Sequence, residues 1–464
     1  MELQFYGAAG EVTGSCHILR IGDYQVLLDC GLIQGGRSAD QRNAEPFPFD
    51  PKQIDAVVLS HAHIDHCGRL PLLVKRGFSG PIITQNASRD LVRILLSDSA
   101  FLQEMDAKRK NRRLRRAGKP LIEPLYRQQD AERACSQLQG HRYQQAVAVV
   151  PGVTAIFHDA GHILGSTSVE LRLEHNAVKR TIVFSGDLGQ YDTPILKDPA
   201  TLTRADLVLM ESTYGSRLHR DRQRTVEELG EVFKVASKRG GNVLIPAFAV
   251  GRSQEVLYHL GIHFEQWGLD KWQVFLDSPM AIEASEIYWN YPNLYDSEAL
   301  ELARDVGMPP LPNLHLSKST EQSMALNRIR SGAIILAGSG MCTGGRILHH
   351  LKHNLWRQDC HVVIVGYQAQ GSLGRRLVEK RDTVKIHGET IRVRATIHTI
   401  GGLSAHGDRD DLARWYSSFT DRPPVYLVHG EEDSAHDLGA LLEQRYGART
   451  RVTEPGLKVD LQAL

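Results

Sequence analysis

A chain of 464 residues exceeds what one ordinary domain holds, so roughly two or three domains are expected. Its 42% apolar and 23% charged residues are those of a water-soluble globular protein; with a formal net charge of +1, any surface for a polyanion has to be a local patch, and no run approaches the roughly 18 apolar residues of a membrane span. Met1–Phe5 lacks the charged-then-apolar pattern of a secretory leader, and six scattered cysteines without a Cys-x-x-Cys pair fit reduced thiols, so a cytoplasmic location without membrane contact is expected.

Residues 2–7 and 15–30 read as strands. Ile18–Ile21 and Tyr24–Leu28 flank Gly22-Asp23, the two-residue turn of a hairpin, and the second arm ends in Asp29-Cys30-Gly31. The apolar run Ile54–Leu59 reads as a buried strand and leads into Ser60-His61-Ala62-His63-Ile64-Asp65-His66-Cys67-Gly68. Four side chains able to bind a metal therefore crowd together at a strand end. Histidines at i and i+2 project to the same side of an extended chain, so His61 and His63 face one point. Asp65 and His66, where the chain turns, face a second point beside it. Zinc suits imidazole and carboxylate together; the competing reading is a polar loop rich in histidine.

A strand at 80–84 precedes a long helical region from about 87 to 117. Its segment Lys108–Arg116 holds seven basic residues in nine, a solvated helix face or a phosphate-binding edge. Val153–Asp159 is a strand that runs into the small-residue loop Ala160–Ser166, which carries His162; His158, on the strand itself, has a structural place. Strands follow at 167–173 and 179–185, the latter ending in Gly186-Asp187-Leu188-Gly189. Ala205–Met210 is a further strand with Glu211 at its end.

Parallel-sheet signals come next. Gly241–Pro246 leads into Ala247–Arg252 and a helix from Ser253, a strand follows at 273–277, and Ala333–Ala337 leads into Gly338–Arg346 and a helix, with another strand at 361–365. The loop 338–346 is no dinucleotide fingerprint, since Thr343 stands where the third glycine belongs, and no P-loop, since Gly-Lys-Ser/Thr is missing. Glycines between a strand and a helix still let backbone N–H groups point at an anion. Arg346 there, and Arg252 at the other helix start, would add charge; a tight turn accounts for the same glycines. Gly251–Glu255 lacks the last glycine of a hydrolase nucleophile elbow, which sets that reading aside.

His-x-His-x-Asp-His after a strand resembles the signature of the metallo-β-lactamase fold. Asp29, His162 and Asp187 stand at strand ends where that fold carries its further motifs, in the same order. Glu211-Ser212-Thr213-Tyr214-Gly215 resembles motif A of the β-CASP nucleases, the group of the cleavage-and-polyadenylation endonuclease and RNase J. Leu403-Ser404-Ala405-His406-Gly407-Asp408 resembles motif B, and Val425–Val428 followed by His429-Gly430-Glu431 resembles motif C. The resemblance covers essentially the whole chain, with no departure at a motif position.

The resemblance implies an α/β fold: an αβ/βα four-layer sandwich from residues 1–204 and 381–464, with a β-CASP α/β domain inserted at 205–380. It implies two Zn2+, one held by His61, His63, His162 and Asp187, the other by Asp65, His66, Asp187 and His429. Asp187 then bridges, and Asp29 supports the ligands. His406, held by Glu211, becomes the general acid for a leaving 3′-oxygen. Ser339, Gly340, Arg252, Arg346 and Ser404 become contacts to RNA in a groove between the domains. The implied activity is zinc-dependent cleavage of single-stranded RNA, internal or from a 5′ end, leaving 5′-phosphate and 3′-hydroxyl; a homodimer is compatible with the sequence. The competing classes are a hydrolase of small esters or thioesters on the same fold, against which Glu211 and His406 speak, and a non-catalytic RNA-binding scaffold, against which the complete ligand set speaks. DNA as substrate is a third, weaker alternative.

Overall fold

Strands that read as unbroken apolar runs, such as Ala56–Val58 and Val425–Val428, belong to sheets covered on both faces. The computed structural model, which describes residues 1–464 with the side chains of 36 and 37 aside, contains two such seven-stranded sheets in one unit, formed by Met1–Thr193, Lys197–Leu218 and His406–Leu464. One sheet runs, in spatial order, Lys458–Asp460, Glu2–Gly7, Cys16–Ile21, Tyr24–Leu28, Ala56–Val58, Ile82–Gln85 and Leu138–His141. The other runs Thr450–Val452, Val425–Val428, Leu207–Glu211, Val178–Phe184, Thr167–His175, Val153–Asp159 and Ala146–Val150.

The inner faces meet in one core. Leu3, Phe5, Val26, Leu28 and Val58 come from the first sheet, and Phe157, Val169, Leu171, Phe184 and Leu209 from the second. Helices Arg409–Ser417 and Glu432–Tyr446 bury Leu412, Trp415, Tyr416 and Leu438 against the outer residues Val208, Met210 and Leu427 of the second sheet. Helices Leu70–Lys75, Asn86–Arg116 and Gln128–Ser136 pack together beside the first. This is an αβ/βα sandwich. No helix of the described residues is long and apolar enough to cross a membrane.

The second unit, Pro194–Leu196 and His219–Ala405, is built on a six-stranded parallel sheet in the order Leu314–Leu316, Gln273–Leu276, Ala333–Ala337, Val243–Pro246, His361–Ile364 and Thr396–Thr399. Alternate strand residues face opposite sides. Val243, Ile245 and Ile334 join a core with Phe233, Leu257 and Trp267, while Leu244, Ile335 and Val362 join another with Ile347, Leu351 and Leu377.

The insertion expected at 205–380 differs from these units at both ends. Leu207–Glu211 lies in the first unit, parallel to and between Val178–Phe184 and Val425–Val428. Thr396–Thr399 pairs with His361–Ile364 and completes the second unit's sheet. Pairing partners, which lie far along the chain, decide both memberships.

Backbone closeness dictates one residue type near the His-rich loop. A Cβ at Gly31 would sit 1.5 Å from the Asp65 carbonyl oxygen, and the Gly31 N–H donates to the Ser15 carbonyl at 2.9 Å. Gly31→Ala has to displace the peptide that carries Asp65 and His66. We expect a loss of about 1–3 kcal/mol, the usual cost of overpacking, read as a lower denaturant midpoint of the first unit; a wild-type midpoint would show that this backbone yields freely.

Candidate metal centre

Strand direction assembles the site. Tyr24–Leu28 and Ala56–Val58 run parallel, as do Val178–Phe184, Leu207–Glu211 and Val425–Val428. Val153–Asp159 shares the direction of Val178–Phe184, both being antiparallel to Thr167–His175. Asp29, the His61–His66 loop, His162, Asp187, Glu211 and His429 all follow the C-terminal ends of these strands, the side on which open α/β sheets carry their ligands.

The side chains converge in three groups. In the first, His63 Nδ1 lies 3.2 Å from His61 Nε2 and 3.1 Å from His162 Nε2, and Asp187 Oδ2 lies 3.3 Å from His61 Nε2. In the second, His66 Nε2 and His429 Nε2 are 3.0 Å apart and Asp65 Oδ2 is 3.6 Å from His429 Nε2. Asp187 turns its other oxygen, Oδ1, to His66 Nε2 at 3.3 Å, so one carboxylate faces both groups. In the third, His406 Nδ1 is 3.1 Å from Glu211 Oε1 and 3.9 Å from Asp187 Oδ2.

Surrounding groups settle which ring nitrogens carry protons. Asp29 is fully buried; its Oδ2 accepts from Ser15 Oγ at 3.0 Å and Ser60 Oγ at 2.9 Å and lies 2.7 Å from His66 Nδ1. A carboxylate only accepts, so His66 donates through Nδ1. Ser60 Oγ, its own proton given to Asp29, accepts from His61 Nδ1 at 3.0 Å. Thr213 Oγ1 donates to the His429 carbonyl at 2.9 Å and lies 3.1 Å from His429 Nδ1, which also lies 3.4 Å from Asp187 Oδ1. The Nε2 atoms of His61, His66 and His429 thereby face the cluster. Ser60, Ser15 and Thr213 had no role in the sequence reading; Ser60 stands next to His61 and Thr213 two residues after Glu211, whereas Ser15 lies beside no motif.

Electrostatics follow from burial and crowding. Burial lowers His61 and His162 and pushes His63 down to about 3, which keeps these rings neutral. Burial opposes ionisation of Asp187, but the neighbouring His429, His66 and His61 outweigh it and hold the carboxyl well below its usual range. At His66 burial is likewise outweighed by Asp187 and Asp29, which hold that imidazole well above its usual range. At His406 burial gives way to the charge and hydrogen bond of Glu211, and its value is pushed up to about 9. Neutral imidazoles, as at His61, His63 and His162, and an ionised carboxylate, as at Asp187, are the donors zinc takes, and a cation bound there would displace the His66 proton. The buried Asp187 Oδ1, which has no hydrogen-bond partner, fits a bound cation as well.

Glu211, fully buried, accepts from the Leu188 N–H at 2.7 Å and the Thr213 N–H at 3.2 Å, which fixes it as the anchor for His406. Gly407 N donates to the Leu188 carbonyl at 2.7 Å, tying the His406 segment to the loop that bears Asp187.

The residues expected to touch RNA from the second unit are differently engaged. Arg346 donates to Asp277 Oδ1 at 2.7 Å and to the carbonyls of Ser317 and Lys318. Arg252 pairs with Glu255, which also takes Arg222. Ser339 Oγ accepts from the Thr343 N–H at 3.0 Å and the Gly344 N–H at 3.2 Å, and Gly340 lies against the Phe248 ring. Ser404 is half-buried. Beneath the glycine-rich loop sits a network the sequence did not disclose: buried Asp277 also accepts from Ser323 Oγ and meets His350 Nε2, each at 2.6 Å. Asp277→Ala leaves Arg346 and His350 without their carboxylate. We expect it to destabilise the second unit by about 3–5 kcal/mol, measured by denaturant unfolding; a change below about 1 kcal/mol would mean solvent replaces the carboxylate.

Comparison with known proteins agrees with this architecture. The chain matches the family models of the metallo-beta-lactamase superfamily over residues 9–124, the Beta-Casp domain over 253–377 and the Zn-dependent metallo-hydrolase RNA specificity domain over 390–453. It is 42% identical to Ribonuclease TTHA0252 of Thermus thermophilus across 96% of each chain. It is 31% identical to transcription termination factor FttA of Thermococcus kodakarensis, across 96% of this chain and 69% of that protein. A crystal structure of a protein of unknown function from Enterococcus faecalis V583 shares the fold, with a TM-score of 0.57 over 99% of each chain at 13% identity. With motifs, strand-end side chains and full-length similarity in agreement, the chain belongs to the β-CASP ribonuclease family of the metallo-β-lactamase superfamily.

Proposed function

We propose that this protein is a zinc-dependent ribonuclease that hydrolyses phosphodiesters of single-stranded RNA, leaving a 5′-phosphate and a 3′-hydroxyl. The observation that carries the reading is Asp187, whose two oxygens face two separate donor groups while the Glu211–His406 pair stands beside it. RNA as substrate is supported by the similarity to a ribonuclease and to the RNA specificity domain family. His61, His63, His162 and Asp187 would hold one Zn2+, and Asp65, His66, His429 and Asp187 the other. When bound, such a pair supplies Lewis-acid stabilisation of phosphoryl oxygens and lowers the pKa of water.

The chain's own residues do the rest. Asp29 and Ser60 keep the rings of His66 and His61 turned inward. Glu211 meets His406 at Nδ1, and the protonated ring would give its Nε2 proton to the departing 3′-oxygen. The neutral ring then keeps Nδ1–H on Glu211. Six free cysteines, five of them buried, support a cytoplasmic setting.

Incubation with 5′-labelled and 3′-labelled RNA tests the activity and separates internal from 5′-terminal cleavage. Turnover of a generic ester with intact RNA would overturn the reading. Protein purified without chelator should carry about two zinc equivalents; less than about one, with no gain on adding zinc, excludes the paired site. Asp187→Asn should lose most of its activity and its second equivalent, because a neutral amide bridges cations poorly.

Two histidines should part company. His429→Ala removes a ligand and should lower metal content. His406→Ala should keep the metal and slow turnover by about 10²–10⁴-fold. Equal loss of zinc in both variants would refute this division of roles.

A further inference from the structure

The basic segment at the end of helix Asn86–Arg116 remains outside the site described. Helical periodicity sorts its nine residues. Asn111 and Leu114, the two that are not basic, are partly buried and follow Ala107 around the inward face. Asn111 bonds both backbone groups of Ile122, and the Lys119 N–H donates to the Leu114 carbonyl at 3.0 Å, so the chain folds back along that face. The other seven, Lys108, Arg109, Lys110, Arg112, Arg113, Arg115 and Arg116, are all exposed. Among the described residues only Arg109 of these seven has a carboxylate within 4.0 Å, Asp106.

Favourable interaction with the helix dipole accounts for the last turn, Arg113, Arg115 and Arg116. It does not reach Lys108, Arg109, Lys110 or Arg112. Phe101 and Met105, 52% and 47% exposed, continue the stripe of Lys108, Arg112 and Arg116 by steps of three and four. Cations beside an exposed aromatic suit a single strand, whose backbone takes the charge and whose bases take the ring.

The helix also measures a distance. At its start, Ser88 Oγ donates to the Gly165 carbonyl at 2.7 Å, in the loop that bears His162. From Ser88 to Arg112 the helix rises about 1.5 Å per residue, so the cations lie roughly 35 Å from that loop along the axis. At about 3.4 Å per stacked nucleotide, this is on the order of ten nucleotides.

We propose that the exposed cationic end of helix Asn86–Arg116 is an accessory contact for single-stranded RNA that long substrates reach and short ones do not. The inference rests on the ribonuclease reading for its choice of ligand. Each phosphate neutralised on a single strand adds about 0.7 to the steepness of log affinity against log salt.

The test measures binding of hydrolysis-resistant phosphorothioate RNA, about thirty and about six nucleotides long, to the full chain across a salt series. Replacing Arg112, Arg113, Arg115 and Arg116 together with Gln should flatten the slope by about 1–3 units for the long RNA and leave the short one unchanged. The four-Lys variant should keep the wild-type slope, because charge rather than guanidinium shape is used. Equal slopes for wild type and the Gln variant on long RNA overturn the proposal, as does capture of the wild type by anionic vesicles with no difference between its long-RNA and short-RNA binding. Cleavage of an unmodified six-nucleotide RNA by wild type and Gln variant alike is expected; absence of cleavage in both, with the slope difference intact, would fault the ribonuclease reading and leave the contact standing.

Discussion

His66 Nε2 and His429 Nε2 face each other across 3.0 Å, with Asp29 at Nδ1 of the first ring and Thr213 at Nδ1 of the second. Burying polar groups without compensation costs several kcal/mol, and here Asp187 Oδ1 lies 3.3 Å from His66 Nε2 and 3.4 Å from His429 Nδ1. The first unit is organised to hold that arrangement. Strand directions bring the ends together, glycines such as Gly31 let the backbones touch, and Asp29 and Thr213 fix the rings. Such a buried gathering of imidazole nitrogens and carboxylate oxygens suits a bound cation.

Most of the site was visible in the sequence because its residues cluster at strand ends. His61 to His66 lie within one loop, and Asp187, Glu211 and His429 each end an apolar run. Two things were not visible. Leu207–Glu211 reads as the same apolar strand in either unit, and its pairing with Val178–Phe184 and Val425–Val428 decides its place. The chain separation between those strands is far beyond any local pattern. The hydroxyls of Ser15 and Ser60 were hidden for the same reason, since Asp29 gathers them from different strands.

The arginines illustrate a different limit. An Arg at a helix start after a glycine-rich turn has one sequence pattern whether it meets an anion or a carboxylate of its own chain. Arg346 meets Asp277, 69 residues earlier, and Arg252 meets Glu255 one turn on. Charge on the page of a sequence is therefore poor guidance to free charge, and the exposed cations of Lys108–Arg116, of which Arg109 alone meets a carboxylate among the described residues, gain meaning from that contrast.

Asp29 has a reach larger than one ring. Directly it orients His66, of the second donor group, and through Ser60 it orients His61, of the first. Any movement of that carboxylate re-aims a ligand in each half. One carboxylate thus anchors a ring in each donor group, so a substitution at Asp29 acts on both groups at once.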